Sequence, residues 1–375
     1  MTVQPKHVFL IDGSGFIFRA FHGLPPMTSP NGTPVNAVFG YTKMLMKLLE
    51  DTDADHIAVI FDRARKTFRS DIYPEYKAHR PPPPDDLIPQ FELVREATRA
   101  LKVPAIDMEG YEADDLIATY AKQAAANGVQ VTIVSSDKDL MQLVDDKITM
   151  LDAMKNKVIG PAEVFEKFGV GPELVIDVQA LAGDSADNVP GVQGIGVKTA
   201  ALLINEYGTL DNVLARAGEV KQNKRRENLI EQADMARLSR DLVTLKVDVP
   251  IDVPLSTFVV KKPDPETLVG FLREQGFKSL VTTLENRFGL TGSAVADNTP
   301  ESAPAKKATY ELVQTVEALQ TWIGAAHKEG VVAVDTETTG LDALQVELVG
   351  ISLCVKPGHA CYIPLAHKSS ESTAK

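Results

Sequence analysis

Nine carboxylates fall in five short clusters in the first half of the sequence: Asp12, Asp62, the Glu112/Asp114/Asp115 group, the Asp137/Asp139 pair and the Asp184/Asp187 pair. Gathered in one place they would repel one another and resist desolvation, so a fold that gathers them needs divalent cations to make the gathering favourable. They are hard oxygen donors of the kind that Mg2+ or Mn2+ takes, and no His/Cys set suited to zinc accompanies them. Two such ions about 4 Å apart act on a phosphodiester by activating a water and neutralising charge on the attacking and leaving oxygens, with no covalent enzyme intermediate. The residue types therefore point to metal-dependent phosphate chemistry. Arg19, Lys77 and Arg80 are the cations best suited to steer or stabilise the phosphate, although an isolated surface Lys or Arg is more often simply solvated.

The acids must be positioned by the elements between them. Short, β-rich apolar runs at 7–11 and 56–61 are each followed at once by an aspartate, Asp12 and Asp62, and a third run at 129–135 leads to Asp137. Helical stretches lie between, which predicts an α/β fold with a mostly parallel sheet flanked by helices and its ligands beyond the carboxyl ends of the strands. One aspartate at such a place is commonly a helix cap or turn residue; three in the same position argue for a site. Glu112 and Asp115 would project from one face of a helix beginning near Tyr111, with Asp114 beside them, and three acids in four residues exceed what capping requires. Asp137 and Asp139, in SSDKDL, would share one face in extended geometry, while Asp184 and Asp187, in GDSADNVPG, repeat the three-residue spacing before a glycine-rich turn.

Residues 63–86, RARKTFRSDIYPEYKAHRPPPPDD, cannot be a core strand. A basic and aromatic insertion after a strand-end aspartate suits a flexible cover that grips a polyanion beside the metals, and the same composition fits a solvated loop stiffened by proline. In PGVQGIGVKTAA at 190–201, Gly191, Gly194 and Gly196 build a tight turn before a helix, so that amides at the helix start, with Lys198 adjacent, can hold a DNA phosphate without reading sequence. This is a helix–hairpin–helix arrangement. A dinucleotide fingerprint fits poorly because no strand precedes it, and DGSG at 12–15 fails likewise because Phe18 takes the place of the third glycine. KQNKRR at 221–226 either extends the basic track along a duplex or is a solvated helix face.

The whole chain has 375 residues, 44% of them hydrophobic, enough for at least one full core and more than one ordinary domain. A net charge of −12 argues against coating nucleic acid by bulk charge but leaves a local basic groove open. Only Cys354 and Cys361 are present, and the first residues carry no signal-peptide run, which fits a soluble protein in a reducing, cytoplasmic compartment, with no membrane partner. The small, polar, proline-containing stretch at 291–308 marks a linker. Beyond it, 309–328 reads as a strand and a helix, 331–334 as a strand running into Asp335, and 347–355 and 359–364 as further strands, a unit short of typical domain size and so expected to be truncated, with exposed edges.

LIDGSGFIFRAFH, FDRARKTFRSDIYPEYKAHRPPPPDDL, GYEADDLIATYA, VSSDKDLMQLV and LAGDSADNVPGVQGIGVKTAALLI together resemble the 5′ nuclease domain of bacterial DNA polymerase I, within the flap endonuclease superfamily, over residues 1–290. The resemblance implies a catalytic α/β domain at 1–175 and a helix–hairpin–helix subdomain at 176–290. It implies that the nine acids are metal ligands, with Asp12, Asp62, Glu112, Asp114 and Asp115 nearer a first site and Asp137, Asp139, Asp184 and Asp187 at a second. Tyr76, Lys77 and Arg80 align with an arch that contacts the cut strand, Arg19 with a phosphate-contacting arginine, and Gly191 to Lys198 with the duplex-binding hairpin. Mg2+ or Mn2+, two or more, are the implied cofactors, with K+ as a candidate at the hairpin. The implied activity, in primer removal and DNA repair, acts on 5′ flaps, nicked or gapped duplexes and RNA primers on DNA, by a monomer associated with the nucleoid. Residues 309–375 resemble the opening of a ribonuclease H-like 3′–5′ exonuclease, with Asp335 and Glu337 in VDTETTG as the first acid pair of an incomplete four-acid site, so neither proofreading nor polymerisation is expected. A non-catalytic DNA-junction binder and a small-molecule phosphatase are the competing readings, and the second leaves the hairpin and the arch without a purpose.

Overall fold

The computed structural model describes residues 5–288, 309–340, 346–356 and 358–367, so the linker expected at 291–308 lies outside them. The chain divides into two units, Met1–Gly292 and Ser293–Lys375. In the first, strands β1 (His7–Asp12), β2 (His56–Ile60), β3 (Ala105–Ile106), β4 (Gln130–Val134), β5 (Ile148–Asp152) and β6 (Lys157–Ile159) form one sheet in the order β3-β2-β1-β4-β5-β6. Neighbours run parallel except β5 and β6, which make an antiparallel hairpin at one edge. Helices α1 (Gly13–Gly23), α2 (Asn36–Asp51), α3 (Phe68–Ile72), α4 (Gln90–Ala100) and α5 (Ala113–Ala126) lie between the strands.

Both faces of the sheet are covered, which is why its central strands read as unbroken apolar runs. Val8, Leu10, Ala58 and Ile60 point to one core, shared with Leu116, Ile117 and Tyr120 of α5. Phe9, Ile11, Ile57 and Val59 point to the other, shared with Ile17 of α1, Tyr41 and Leu45 of α2 and Val94 of α4. The chain winds outward from β1 in both directions, β2 lying on one side and β4 on the other. At such a reversal the loops leave the sheet on opposite faces and open a crevice beyond the strand ends. Asp12, Asp62 and Asp137 stand at that crevice, as the apolar runs predict.

The rest of the unit is helical: α6 (Pro161–Phe168), α7 (Val175–Ala182), α8 (Val197–Tyr207), α9 (Leu210–Ala215), α10 (Asn223–Glu231), α11 (Ala233–Val243), α12 (Pro265–Glu274) and α13 (Lys278–Phe288). The glycine-rich hairpin joins α7 to α8. Gly191 has φ +61°, and a Cβ there would come within 2.4 Å of the Gly183 nitrogen, so its glycine serves the turn and its own packing rather than a ligand. Gly196, with an ordinary φ of −97° and open space around it, leaves the start of α8 bare.

In the second unit, β7 (Thr309–Leu312), α14 (Val316–Glu329), β8 (Ala333–Thr338), β9 (Leu348–Lys356) and β10 (His359–Pro364) give a sheet of order β7-β10-β9-β8. The strand expected at 331–334 instead runs over Ala333–Thr338, because its ladder with β9 continues past the apolar residues to Thr338. Asp335 and Glu337 therefore lie within an edge strand, two apart on one face, and both are exposed.

Candidate active site

Each acid is placed by a local rule. Asp12 ends β1 and caps α1: its Oδ1 accepts from the Gly15 amide at 3.2 Å and its Oδ2 from Ser135 Oγ at 3.0 Å, linking the ends of β1 and β4. Asp62, just past β2, accepts from Ser14 Oγ at 2.7 Å and from the Ala113 amide at 2.9 Å, which draws in the start of α5. Asp114 follows on the first turn of α5. Burial, and then the negative charges of Asp137, Asp12, Asp62 and Glu112, hold its carboxyl well above the usual carboxylate range. Burial and Asp62 push Asp12 up to about 6. Burial and Asp137 do the same to Asp139, also up to about 6.

Glu112, Asp184 and Asp187 complete the group, and cations meet them there. Tyr76 Oη lies 3.2 Å from both Glu112 Oε2 and Asp187 Oδ2 and donates into the gap between them. Lys77 Nζ is 2.9 Å from Glu112 Oε1 and 3.4 Å from Asp187 Oδ2, while its backbone amide donates to the Asp187 carbonyl at 2.9 Å. Arg80 pairs with Asp187, and Lys138 with Asp184. Burial disfavours the Lys77 charge, yet Glu112, Tyr76 and Asp187 together hold its ammonium above the usual lysine range. Asp12, Asp62 and Glu112 all act on Asp114, and Asp137 and Asp187 on Asp139, while Tyr76 and Lys77 link Glu112 to Asp187 and the charge of Asp137 also reaches Asp12 and Asp114.

Four expectations are corrected here. The flexible cover at 63–86 is neither a free flap nor a solvated loop over its middle, since Tyr76 is buried and Arg69 is 1% exposed. The helix expected near Tyr111 starts at Ala113, with Glu112 extended at the cap. Asp115 consequently folds back to accept from the Glu112 amide at 3.1 Å. Asp115 is also no open ligand: both its oxygens take the Arg69 guanidinium, at 2.7 and 2.8 Å, and Oδ1 accepts from the Lys246 amide at 2.9 Å. Finally, Asp137 and Asp139 do not share a strand face. The Asp139 amide donates to Asp137 Oδ1 at 3.0 Å as a 3-10 turn begins, and the Asp139 carboxylate accepts instead from Gln179 of α7.

Arg69, Lys138 and Gln179 are the site residues that sequence reading missed. Lys138 lies between two of the acids in SSDKDL, a visible signal, whereas nothing in the sequence shows that Arg69 is buried or that Gln179 reaches Asp139. Arg19 does reach the site, lining with Asp12 and Asp137 a pocket of about 340 Å3. Gly194, Gly196 and Lys198 are exposed on the hairpin and the start of α8. Asp335 and Glu337 belong to the second unit.

Among the described residues, no three His, Cys, Asp or Glu side chains already converge in coordinating geometry. The ammonium and guanidinium groups occupy oxygens that a cation would otherwise take. The donor set nevertheless suits divalent ions: it is all oxygen and crowded, and burial with mutual repulsion holds the carboxyls of Asp12, Asp114 and Asp139 above the usual carboxylate range.

Residues 7–169 match the model for the 5′-3′ exonuclease N-terminal resolvase-like domain, and residues 170–266 that for the 5′-3′ exonuclease C-terminal SAM fold. The chain is 36% identical to the 5′-3′ exonuclease of Aquifex aeolicus, over 76% of its own length and 96% of that protein's. The chain belongs to the 5′-3′ exonuclease family. It is also 46% identical to DNA polymerase I of Rhizobium leguminosarum over 97% of its length, and it spans 44% of that relative. Residues 310–375 match a 3′-5′ exonuclease model. Among solved structures, the family fold recurs in T5 5′-exonuclease with divalent metal ions (zinc) bound, at a TM-score of 0.55, 23% identity and coverage of 76% of this chain and 99% of that one. It recurs also in the catalytic core of Rad2 in complex with DNA substrate, at a TM-score of 0.50, 17% identity and coverage of 75% and 93%.

Proposed function

We propose that the first unit is a structure-selective 5′ nuclease that hydrolyses phosphodiesters at 5′ flaps, nicks and gaps in duplex DNA, and RNA primers on DNA, with two divalent ions such as Mg2+. The observation that carries this reading is the meeting of acids from β1, β2, α5, β4 and the loop before α8, with Tyr76, Lys77 and Arg80 laid directly on them. Asp12, Asp62, Glu112, Asp114, Asp137, Asp139, Asp184 and Asp187 would hold the ions, which when bound activate water and neutralise charge growing on the cleaved phosphodiester. Asp115 is left out of that set. Lys77, Arg80 and Arg19 hold the phosphate, and Tyr76 fixes Glu112 and Asp187 in place. Backbone amides at the start of α8, with Lys198, hold the duplex through its phosphates without reading sequence.

Residues 1–175 then form the catalytic part and 176–290 the duplex-holding part, with 309–375 as a second, exonuclease-type unit following in a longer DNA polymerase. Incubating the chain with a labelled 5′-flap substrate and Mg2+ tests the reading, since a junction binder would retard the DNA and release no product. Lys77→Ala and Arg80→Ala are each expected to slow flap cleavage by about 100-fold, the scale of one removed electrostatic contact to developing charge, with duplex binding retained. Wild-type rates in both would remove the arch from the mechanism.

Metal binding also has a pH signature. With Asp12 and Asp139 raised to about 6 from an unfolded value near 3.8, the native state binds more protons than the unfolded state between those limits. The contribution of these groups to stability therefore falls as pH rises from about 4 through about 6. Divalent ions replace those protons, so Mg2+ should raise Tm more at pH 7.5 than at pH 5, and equal shifts would contradict metal binding at these acids.

A further inference from the structure

The acid cluster is held in register by a piece of backbone that carries none of its acids. Residues 242–246, where the chain leaves α11, turn their peptide groups alternately to two sets of partners. The carbonyls of Leu242 and Thr244 accept from Arg69 at 2.7 and 3.1 Å, and the Lys246 amide donates to Asp115 Oδ1 at 2.9 Å. Between these, the Val243 carbonyl accepts from Gln142 Nε2 at 2.9 Å, and the Leu245 amide donates to Gln142 Oε1 at 3.1 Å. Through Asp115 the segment is tied to the start of α5, which carries Glu112 and Asp114.

Through Gln142 it is tied to the turn after β4. Gln142 Nε2 also donates to the Asp139 carbonyl at 2.9 Å, so both the nitrogen and the oxygen of its amide are engaged. The Asp139 amide donates to Asp137 Oδ1 at 3.0 Å and the Met141 amide to the Lys138 carbonyl at 3.1 Å, so Asp137 and Asp139 move with that turn as one piece. The turn is under repulsion, since the charge of Asp137 acts on Asp12, Asp114 and Asp139. A tether for it should bring no cation to compete with an ion and use up no carboxylate oxygen. A neutral amide bonded only to backbone meets both conditions, and a fully bonded one is rigid.

We propose that Gln142 is a positioning residue for the divalent ions: through residues 242–246 it fixes the Asp137–Asp139 turn at the spacing from Glu112 and Asp114 at which the two sets of oxygens can share ions. This role rests on the nuclease reading and deepens it. Gln142 acts through the backbone of Asp139 and is not itself a ligand.

Gln142→Met keeps the length of the side chain and removes its hydrogen bonds. In the DNA-free protein, the Mg2+ concentration giving half the full rise in Tm should increase about 10-fold, the lower end of the range for losing a group that orients a metal ligand. The Mg2+ concentration for half-maximal cleavage of a labelled 5′ flap should increase by the same factor, with most of the wild-type rate restored at saturating Mg2+ and flap binding in EDTA unchanged. A merely structural brace would lower the urea midpoint and leave the Mg2+ requirement of the folded protein at the wild-type value, which would overturn the role. Gln142→Glu keeps an oxygen for the Leu245 amide, loses the donor and adds a negative charge that alone would draw cations in. A raised Mg2+ requirement in this variant therefore reads position, and a requirement at or below that of wild type rejects it. Should neither variant fold, wild type decides: amide exchange across 242–246 should slow when Mg2+ is added, and exchange indifferent to Mg2+ would count against the tether. Wild type that cuts no flap in Mg2+ takes down the nuclease reading itself, whereas normal wild-type cleavage with unaltered Mg2+ dependence in the variants removes Gln142 alone.

Discussion

Asp114→Asn is expected to lower Mg2+-dependent flap cleavage by about 10³-fold, the upper scale for one lost electrostatic group at a reacting centre, while the duplex stays bound. Asparagine matches the carboxylate in shape, so the start of α5 is undisturbed. What changes is charge at the most crowded point of the cluster, where Asp137, Asp12, Asp62 and Glu112 all act on Asp114. Removing one negative charge from that group relieves repulsion, so the metal-free variant should denature in urea no earlier than wild type. Its Tm should respond less to Mg2+. Wild-type turnover in the variant would take Asp114 out of the metal site, and early denaturation would show that its charge supports the fold instead.

The neighbouring substitution should behave in the opposite way. Asp115→Asn is expected to destabilise the protein by about 3–5 kcal/mol, the cost of breaking a buried ion pair from one side. Asp115 is fully buried, and its carboxylate is the anionic partner that takes both guanidinium nitrogens of Arg69. The remaining partners of Arg69, the carbonyls of Leu242 at 2.7 Å and Thr244 at 3.1 Å and the Glu112 carboxylate at 3.7 Å, do not replace that two-pronged hold. The urea midpoint should drop sharply, and activity should fall with the folded fraction rather than through a weaker Mg2+ response. Replacing both partners together, Arg69→Met with Asp115→Leu, should recover part of the loss because no unpaired charge stays buried. A single variant of wild-type stability would end the buried-pair account.

Asp114 and Asp115 also show how far the sequence could be read. The strand ends were legible because both sheet faces are buried, and unbroken apolar runs such as HVFLI announce that directly. The hairpin was legible because its positive-φ positions, Gly191 and Gly194, admit few other residues. The division of labour inside EADD was not. Which of two adjacent acids faces the cluster depends on where α5 starts, and on an arginine 46 residues earlier in the chain. Sequence spacing carries helix phase but not the partner across the fold. The basic insertion at 63–86 misled for the same reason: its composition suits solvent, whereas the buried pair of Arg69 with Asp115 and the contacts of Tyr76 and Lys77 with Glu112 and Asp187 fix it against the body.

The lysine and arginine resting on Glu112 and Asp187 have a thermodynamic consequence. In the ion-free protein they are counter-charges to those acids, and under the proposed two-ion reading an arriving divalent ion would release them to engage a phosphate. Loading of ions and loading of DNA then favour each other, so the magnesium concentration giving half-maximal occupancy should be lower on a flap complex than on the free protein. Linkage makes that gain reciprocal: DNA would bind more tightly by the same factor once the ions are seated.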